Sequence, residues 1–251
     1  MPLVLVCDDG EHILPDDALV FVLDDTGHEE LHQANGACFG IGGCAFLVSD
    51  YQRLIEAPWN YMLQRFFPDT PRPVHATEHF RNLAKEQISA LTHFFTRFGF
   101  FRLAVTVSTK TTNSVDAGYI EIVATSVLQR VAEVASQVPF SRVFVLFEAS
   151  ERIDRQVMQA LSGKKLRGGH REFEIELGII PKSACAAALE VADVIAHTAG
   201  GQTRHRNKDN SQPVRPDFKD IFQTVDRRFV SFAEITVVRK SEAPSAESTT
   251  N

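Results

Sequence analysis

Short apolar runs alternate with amphipathic segments along most of this 251-residue chain, and this alternation constrains the fold more than any other feature. The run Val143–Phe147 contains no polar residue, which is typical of a central parallel strand covered on both faces. In residues 172–179 glutamates alternate with apolar residues, which indicates a strand with one face in solvent. Further strands are predicted at 18–23, 39–48 and 100–108, the first two as a hairpin. Strands interleaved with helices predict an α/β domain with a mixed central sheet flanked by helices.

Helix signals fill the intervals between these strands. A helix after Ser49 is interrupted at Pro58, and a long helix from Thr77 ends at Gly99, a residue type that often terminates helices. The helices predicted from such patterns are 49–66, 77–98, 115–138, 153–161 and an alanine-rich helix at 184–199. Residues 200–217 are predicted to be a polar loop.

The composition is that of one globular domain, with 44% hydrophobic and 23% charged residues. We predict a single domain at 18–240, an N-terminal leader at 1–17 and a disordered tail at 241–251, which lacks the apolar content to pack. The net charge of −6 argues against indiscriminate coating of nucleic acid, although a local basic path remains compatible with it.

Cysteine usage and hydropathy indicate a reduced, cytoplasmic setting. The four cysteines form no CxxC pair, and the N-terminal run Leu3–Cys7 is too short for a signal peptide. No apolar stretch approaches the length of a membrane span, so no membrane partner is expected. The oligomeric state is not fixed by the sequence, and a homodimer stays open.

Four carboxylates stand where predicted elements begin or end. Asp24 follows the first apolar run, Glu78 opens the long helix, Glu148 ends the fourth run, and Asp193 lies in the last helix. Each has a simpler interpretation by itself: a turn, a favourable helix dipole, a helix cap and a solvated stripe, respectively. Together they form the oxygen-ligand pattern that holds the one or two Mg²⁺ or Mn²⁺ ions of phosphodiester hydrolysis. The sequence therefore predicts a metal-dependent nuclease.

The last predicted helix gives the clearest geometry. At about 100° per residue, Glu190, Asp193 and His197 fall within roughly 60° of one another. The opposite side carries small and apolar residues that can lie close to a sheet: Ala188, Val191, Ala192, Ile195 and Ala199. The polar stripe would then face a cleft, and a solvated stripe on a surface helix is the alternative.

Five segments of the chain resemble a known family. VFVLDDTG, FGIGGCAFLV, VHATEHF, FVLFEAS and ALEVADVIAH are similar to segments of the bacterial and phage proteins of domain of unknown function family 3800, which look like members of the ribonuclease H-like superfamily. The likeness spans roughly residues 18–200. It implies a ribonuclease H-like mixed central sheet flanked by helices, and nucleic acid as the substrate. It also implies metal ligands at four positions: Asp24, Glu78, Glu148 and Asp193. We predict in addition that Asp25 and Glu190 are auxiliary ligands or residues that support the ligands.

Three positions depart from that family. The family commonly has Asp-Glu-Ser-Gly where this chain has Asp24-Asp25-Thr26-Gly27, Asp where it has Glu148, and Gln where it has Glu190. Two of these differences change only side-chain length and the third adds a charge, so metal binding is expected to persist. They leave a second hypothesis open: a catalytically weak or inactive ribonuclease H-like module that binds nucleic acid or a protein. A defence or toxin component that needs a neighbouring gene product is a third.

Basic and imidazole side chains near these motifs are candidates for phosphate contacts. The candidates are Lys182, His75, His197, Lys164, Lys165 and Arg167. If they flank the acidic site, they would hold the nucleic-acid backbone on either side of the scissile bond, and solvated loops are the alternative.

A zinc peptidase is the main rival. His75-x-x-Glu78-His79 matches the H-x-x-E-H pattern, which requires both histidines on one helical turn so that they bind zinc together. Pro73 and the N-cap candidate Thr77 predict that His75 lies outside the helix, which weakens this hypothesis.

Overall fold

The computed structural model describes residues 3–7, 10–27, 38–80, 82–109, 118–150, 154–184, 186–207 and 230–237. Within these ranges the strands are β1 (Leu3–Cys7), β2 (Gly10–Leu14), β3 (Leu19–Gly27), β4 (Cys38–Leu47), β5 (Phe101–Thr109), β6 (Val143–Glu148), β7 (Lys165–Gly168), β8 (Arg171–Ile180) and β9 (Val230–Val237). The α-helices are α1 (Val48–Tyr51), α2 (Ala57–Phe66), α3 (Ala76–His79), α4 (Lys85–Arg97), α5 (Tyr119–Ala135), α6 (Asp154–Leu161) and α7 (Ala187–Asn207). A π-helical turn (Gln52–Glu56) joins α1 to α2, and a 3-10 turn (Lys182–Ala184) precedes α7.

Seven strands form one mixed sheet in the order β7-β8-β6-β3-β4-β5-β9. The strand β3 pairs antiparallel with β4 and parallel with β6, and β6 pairs parallel with β8. The predicted α/β class, the hairpin of the first two sheet strands and the central parallel position of Val143–Phe147 are therefore confirmed. The sheet is completed by β5 antiparallel to β4, β9 parallel to β5, and β7 antiparallel to β8.

Helices cover both faces of the sheet because its central strands are apolar on both sides. Along β3, Leu19, Phe21 and Leu23 belong to one core, which α5 and α6 close, whereas Val20 and Val22 belong to the other. The second core is closed by α2, α4 and α7. Fully burying one such side chain contributes about 1.5–3 kcal/mol, so the two cores hold the strands firmly and fix which residues emerge at their ends.

The helix α7 lies against β3 and β4 at very short range. A Cβ on Gly42 would come within 3.0 Å of the Ala196 Cα, and a Cβ on Gly200 would come within 2.4 Å of the Thr26 hydroxyl. Gly42 is the β4 partner of Asp24, and Asp193 lies one helical turn before Ala196. Small residues therefore bring this helix close to the strand position that carries Asp24.

Several predicted boundaries differ from the structure, and β3 continues past the predicted residue 23 to Gly27. The predicted helix at 77–98 is two helices, α3 and α4, because Asn82 adopts a left-handed backbone angle of 56° and a new helix begins at Lys85. The Gln87 side chain accepts the Ala84 N–H at 2.9 Å and so satisfies one free donor at the start of α4. Residues 200–207, predicted as a loop, continue α7.

Tertiary contacts explain the longer α7. The Thr203 hydroxyl lies 2.7 Å from that of Thr106 and donates to Glu234 at 2.8 Å, which joins the last turns of α7 to β5 and β9. The predicted loop residues 208–217, residues 115–117 of a predicted helix and the tail 241–251 lie outside the described residues.

The strands β1 and β2 pair antiparallel beside the main sheet. A Cβ on Gly178 of β8 would lie 3.3 Å from the Cys7 sulfur, so the end of β1 packs directly on this strand. Within the described ranges, no helix is both long and apolar enough to cross a membrane.

Candidate metal centre

Two of the predicted acids meet at one edge of the sheet. Leu23 of β3 pairs with Phe147 of β6 in a parallel register, so Asp24 and Glu148 follow at neighbouring positions. Asp24 is half-buried, and its Oδ1 accepts the Asp25 backbone N–H at 2.8 Å. Glu148 is buried, with 7% of its surface exposed. Parallel pairing thus brings together two carboxylates that are 124 residues apart in the sequence.

Asp193 joins these acids from α7. Its Oδ2 accepts the Ala76 backbone N–H at 2.6 Å and lies 3.9 Å from the His75 Nδ1. The Asp193 carboxylate is therefore held by the start of α3 and still acts electrostatically on Asp24 and Glu148.

Burial, together with repulsion between the carboxylates, raises the pKa values of Asp24 and Asp193. Burial raises the pKa of Asp24 well above its ordinary value, and the charges of Glu148, Asp193 and Asp25 raise it further, against the Asp25 N–H, which lowers it. Burial also raises the pKa of Asp193, to about 6; the Ala76 N–H lowers it, Glu148 raises it, and His75 and Lys182 lower it. A cation placed among these carboxylates would offset the cost of burying their charge. It would also reduce the repulsion between them.

Lys182 supplies an ammonium at the same place. Its Nζ lies 3.0 Å from the Glu148 Oε1. The end of β8 positions this lysine, because Ile180 pairs with Glu148 and the Ile180 carbonyl accepts the Ala149 N–H at 2.9 Å. Lys182, one of the basic residues predicted to bind phosphate, thus contacts the carboxylate of Glu148.

Glu190 is held by the protein rather than presented to a cleft. Each of its carboxylate oxygens accepts two hydrogen bonds: Oε2 from Trp59 at 2.7 Å and from the Arg72 Nη2 at 2.6 Å, and Oε1 from the Arg72 Nε and the Val74 N–H, both at 2.8 Å. Its side chain is 1% exposed. The geometry gives no support to Glu190 as an auxiliary ligand. Instead it fixes the segment that presents Ala76 to Asp193.

Sequence reasoning missed Trp59 and Arg72, although both complete the Glu190 environment. The extra charge of Glu190 on a helix otherwise rich in alanine was the available signal, because a buried carboxylate needs a cationic partner. Nothing local in the sequence identified which of the chain's 26 lysine and arginine residues supplied it.

The residues around α3 are arranged differently from the prediction. Glu78 has an exposed side chain and is not among the charges acting on Asp24 or Asp193 within the described residues. His197 lies 3.3 Å from the Thr77 hydroxyl, measured from its Nδ1. The predicted ligand Glu78 therefore belongs to a helix, α3, whose first residue contacts Asp193. Its own carboxylate, however, is exposed to solvent.

The same segment lacks the geometry that the zinc hypothesis requires. His75, and not the predicted Thr77, is the N-cap of α3, and its extended backbone lies outside the regular helix as the sequence predicts. Its carbonyl accepts the His79 N–H at 2.8 Å. The His79 Nδ1 accepts the His75 backbone N–H at 2.9 Å, which uses one of its two potential ligand atoms.

Lys164, Lys165 and Arg167 do not line the acidic site. Lys165 forms an ion pair of 3.4 Å with Glu174, near the start of β8, whereas Glu148 pairs with Ile180 at its end. Six residues of strand separate these positions by about 20 Å. Because β7 joins the opposite end of the sheet, the structure does not place this basic stretch beside the carboxylates.

The donor set fits a hard divalent cation by its chemistry. Asp24, Glu148 and Asp193 offer carboxylate oxygens, which Mg²⁺ and Mn²⁺ prefer, and their mutual repulsion favours a cation among them. As arranged here, no group of three or more His, Cys, Asp or Glu side chains in the described part of the chain forms a ready metal-binding cluster. The side chains would therefore have to close around an ion.

Comparison with family models and with curated proteins gave no match. The family resemblance thus remains a prediction.

Proposed function

We propose that this protein is a ribonuclease H-like, metal-dependent nuclease that hydrolyses phosphodiester bonds of DNA or RNA. The observation that carries the proposal is that the strand register places Asp24 of β3 beside Glu148 of β6, and that Asp193 of α7 lies near enough to act electrostatically on both. A carboxylate site at the end of buried strands is where α/β proteins present ligand-binding side chains.

The placement of these acids supports a ribonuclease H-like fold. The resemblance implies ligands on the first strand, a helix, the fourth strand and the last helix. Counted from β3, Asp24 lies on the first strand, Glu148 ends the fourth, and Asp193 lies in α7. The five strands β5-β4-β3-β6-β8 are adjacent in the sheet, and only β4 runs against the other four.

In this proposal Asp24, Glu148 and Asp193 hold the cation. When bound, one or two Mg²⁺ or Mn²⁺ ions supply an activated water and charge stabilisation at the leaving oxygen. The Ala76 N–H fixes the orientation of the Asp193 carboxylate, and Glu190 fixes the segment to which Ala76 belongs. The half-exposed His75, 3.9 Å from Asp193, is positioned to contact a substrate phosphate.

A nuclease assay tests the proposal directly. The protein, freed of metal with EDTA, is incubated with Mn²⁺ or Mg²⁺ and labelled single-stranded DNA, duplex DNA, RNA or an RNA–DNA hybrid. We expect cleavage of at least one substrate, and Asp24→Asn and Asp193→Asn should reduce it to background while the fold remains intact. Absence of wild-type cleavage on all substrates would refute the nuclease assignment.

Asp50→Asn is the matched control. Asp50 is a carboxylate in α1, which follows β4 at Leu47, and Leu47 pairs with Leu19 at the end of β3 opposite Asp24. This variant should cleave as the wild type does. If Asp24→Asn cleaves equally well, the assignment of that residue is wrong.

A catalytically inactive module is the second candidate, and the Lys182–Glu148 ion pair favours it because the ammonium already neutralises one carboxylate. Such a protein would bind nucleic acid or a protein without cutting and without stabilisation by Mn²⁺. Thermal unfolding with and without Mn²⁺, combined with the cleavage assay, separates the two candidates.

A further inference from the structure

A lysine ammonium contacts one of the carboxylates that would hold the divalent ion. The Lys182 Nζ lies 3.0 Å from the Glu148 Oε1, and the Lys182 charge also acts on Asp24, Asp25 and Asp193. The only other cationic group that acts on Asp193 within the described residues is His75, which is charged only when protonated.

We infer that the Lys182 ammonium is the resident cation of the carboxylate cluster and that a divalent ion enters by displacing it from Glu148. The inference rests on the proposed metal centre for the identity of the incoming ion. It assigns Lys182 a role that the sequence did not indicate, since the sequence predicted only a phosphate contact there.

The difference in burial between the two side chains allows Lys182 to move away while Glu148 stays in place. The Glu148 side chain is 6% exposed and is fixed at the end of β6, whereas the Lys182 side chain is 56% exposed on the 3-10 turn. The lysine can therefore move its head group into solvent without opening a core, while the carboxylate stays in place. Of the two partners of this ion pair, only Lys182 can therefore leave the site.

Charge favours the displacement. Glu148 Oε1 is occupied by the ammonium, and an ammonium and a divalent ion on the same carboxylate would repel each other. Without the ammonium and without metal, the acids would repel one another in a half-buried site. Lys182 thus stabilises the metal-free protein and, by the same contact, weakens its affinity for the ion. Burial lowers the pKa of Lys182, but its hydrogen bond to Glu148 and the charges of Glu148, Asp24 and Asp25 raise it, in agreement with a charged group in this role.

Three variants test this assignment. Lys182→Met removes the charge and keeps most of the aliphatic stem, and Lys182→Arg keeps the charge. Lys165→Met is the matched control, because it removes an exposed lysine from its ion pair with Glu174 at the other end of the sheet. The readouts are the Kd for Mn²⁺ by isothermal titration calorimetry and the Tm in EDTA at pH 7.5.

Lys182→Met should bind Mn²⁺ about tenfold more tightly than the wild type, within the usual range of coupling between competing ligands, and should melt several degrees lower in EDTA. Lys182→Arg should have a Tm in EDTA close to that of the wild type. Lys165→Met should match the wild type in both the Tm in EDTA and the Kd for Mn²⁺. An unchanged or weaker Mn²⁺ affinity for Lys182→Met, or an unchanged Tm in EDTA, overturns the inference.

The two proposals fail in different ways. If neither the wild type nor Lys182→Met binds Mn²⁺, the metal centre and the displacement are both refuted. If Lys182→Met binds Mn²⁺ more tightly but no form of the protein cleaves nucleic acid, the displacement stands and the nuclease assignment falls.

Discussion

Two acids three residues apart on α7 show how neighbours give the same functional group different roles. Glu190 receives four hydrogen bonds, two of them from the Arg72 guanidinium, so its charge is fully compensated inside the protein. Asp193 receives the Ala76 N–H and faces the repulsion of Glu148, so its charge is compensated only in part. We infer that Glu190 serves the structure and that Asp193 is the residue left to bind a cation.

Glu190→Gln should destabilise the fold. The amide would place an NH₂ group against donors from Arg72 and either Trp59 or Val74, and the guanidinium would lose its counter-charge. The Glu190 side chain is 1% exposed and the Arg72 side chain 36%, so leaving the buried donors without their acceptor costs roughly 1–3 kcal/mol. The free energy of unfolding in urea measures the loss.

Glu176→Gln provides the control for that variant. Glu176 also pairs with an arginine through both carboxylate oxygens, but the side chains of Arg142 and Glu176 are 50% and 40% exposed. Exposed pairs contribute about 0–1 kcal/mol, so this variant should unfold nearly as the wild type does. Equal losses for both substitutions would contradict a structural role for Glu190.

Asp193→Asn should change how the stability of the metal-free protein depends on pH. Because the folded protein raises the pKa of Asp193 from its ordinary 3.8 to about 6, the folded state binds the proton more tightly than the unfolded state. The stability from this group is thus fully present below pH 4 and is lost as the pH rises to about 6. Asparagine keeps an acceptor for the Ala76 N–H but does not titrate.

In EDTA the Asp193→Asn variant should therefore be more stable than the wild type at pH 7, by at most about 3 kcal/mol. The difference should shrink towards pH 4. Urea unfolding at several pH values measures both slopes, and parallel slopes would show that Asp193 ionises in the folded protein as it does in the unfolded chain.

At the scale of elements, the site depends on how closely α7 approaches the sheet. Two adjacent glycines of this helix differ in their surroundings: a Cβ on Gly200 would meet the buried Thr26 side chain at 2.4–3.2 Å, whereas a Cβ on Gly201 would meet nothing within 4 Å. Thr26 follows Asp24 and Asp25 on β3, so Gly200 sets the distance between the helix and the strand that carries these acids.

Gly200→Ala should therefore destabilise the protein by about 1–3 kcal/mol, because the added methyl group overpacks the contact with Thr26. Gly201→Ala should stabilise it by up to about 1 kcal/mol, because alanine favours the helix and the position is open. Thermal unfolding of the two variants measures the difference. Stabilisation by both substitutions would show that α7 does not rest on Thr26.

At the scale of the whole molecule, the candidate ligands link distant parts of the chain. Asp24, Glu148 and Asp193 come from β3, β6 and α7, of which α7 packs against β3, so an ion bound to all three would act as a cross-link in the folded state alone. A ligand that binds only the folded state stabilises it by an amount set by its concentration relative to its Kd.

Mn²⁺ at about 100 times its Kd should thus stabilise the wild type by roughly 2.7 kcal/mol. For a chain of this size the Tm should rise by roughly 5–10 °C, measurable by calorimetry. Asp24→Asn and Asp193→Asn should lose this gain, and Asp50→Asn should retain it. A gain that persists in Asp24→Asn would place the ion elsewhere.

The local pattern of the sequence determined the α/β class, the hairpin of β3 and β4, the central position of β6, and the neighbouring positions of Asp24 and Glu148. Apolar periodicity reports which residues enter a core, and parallel strands present their carboxyl ends at one edge, so these features follow from short segments. The polar stripe of α7 was visible for the same reason.

Only the tertiary structure decided which polar groups meet. The partners of Glu190 are 116 to 131 residues away, Lys182 reaches Glu148 because β8 and β6 are paired, and Lys164, Lys165 and Arg167 lie at the far end of the sheet. The break between α3 and α4 and the extension of α7 to Asn207 also depend on conformation and distant contacts. The sequence pattern does not identify the partner of a charged residue. The energy of an ion pair depends on distance in the folded protein and not on separation along the chain.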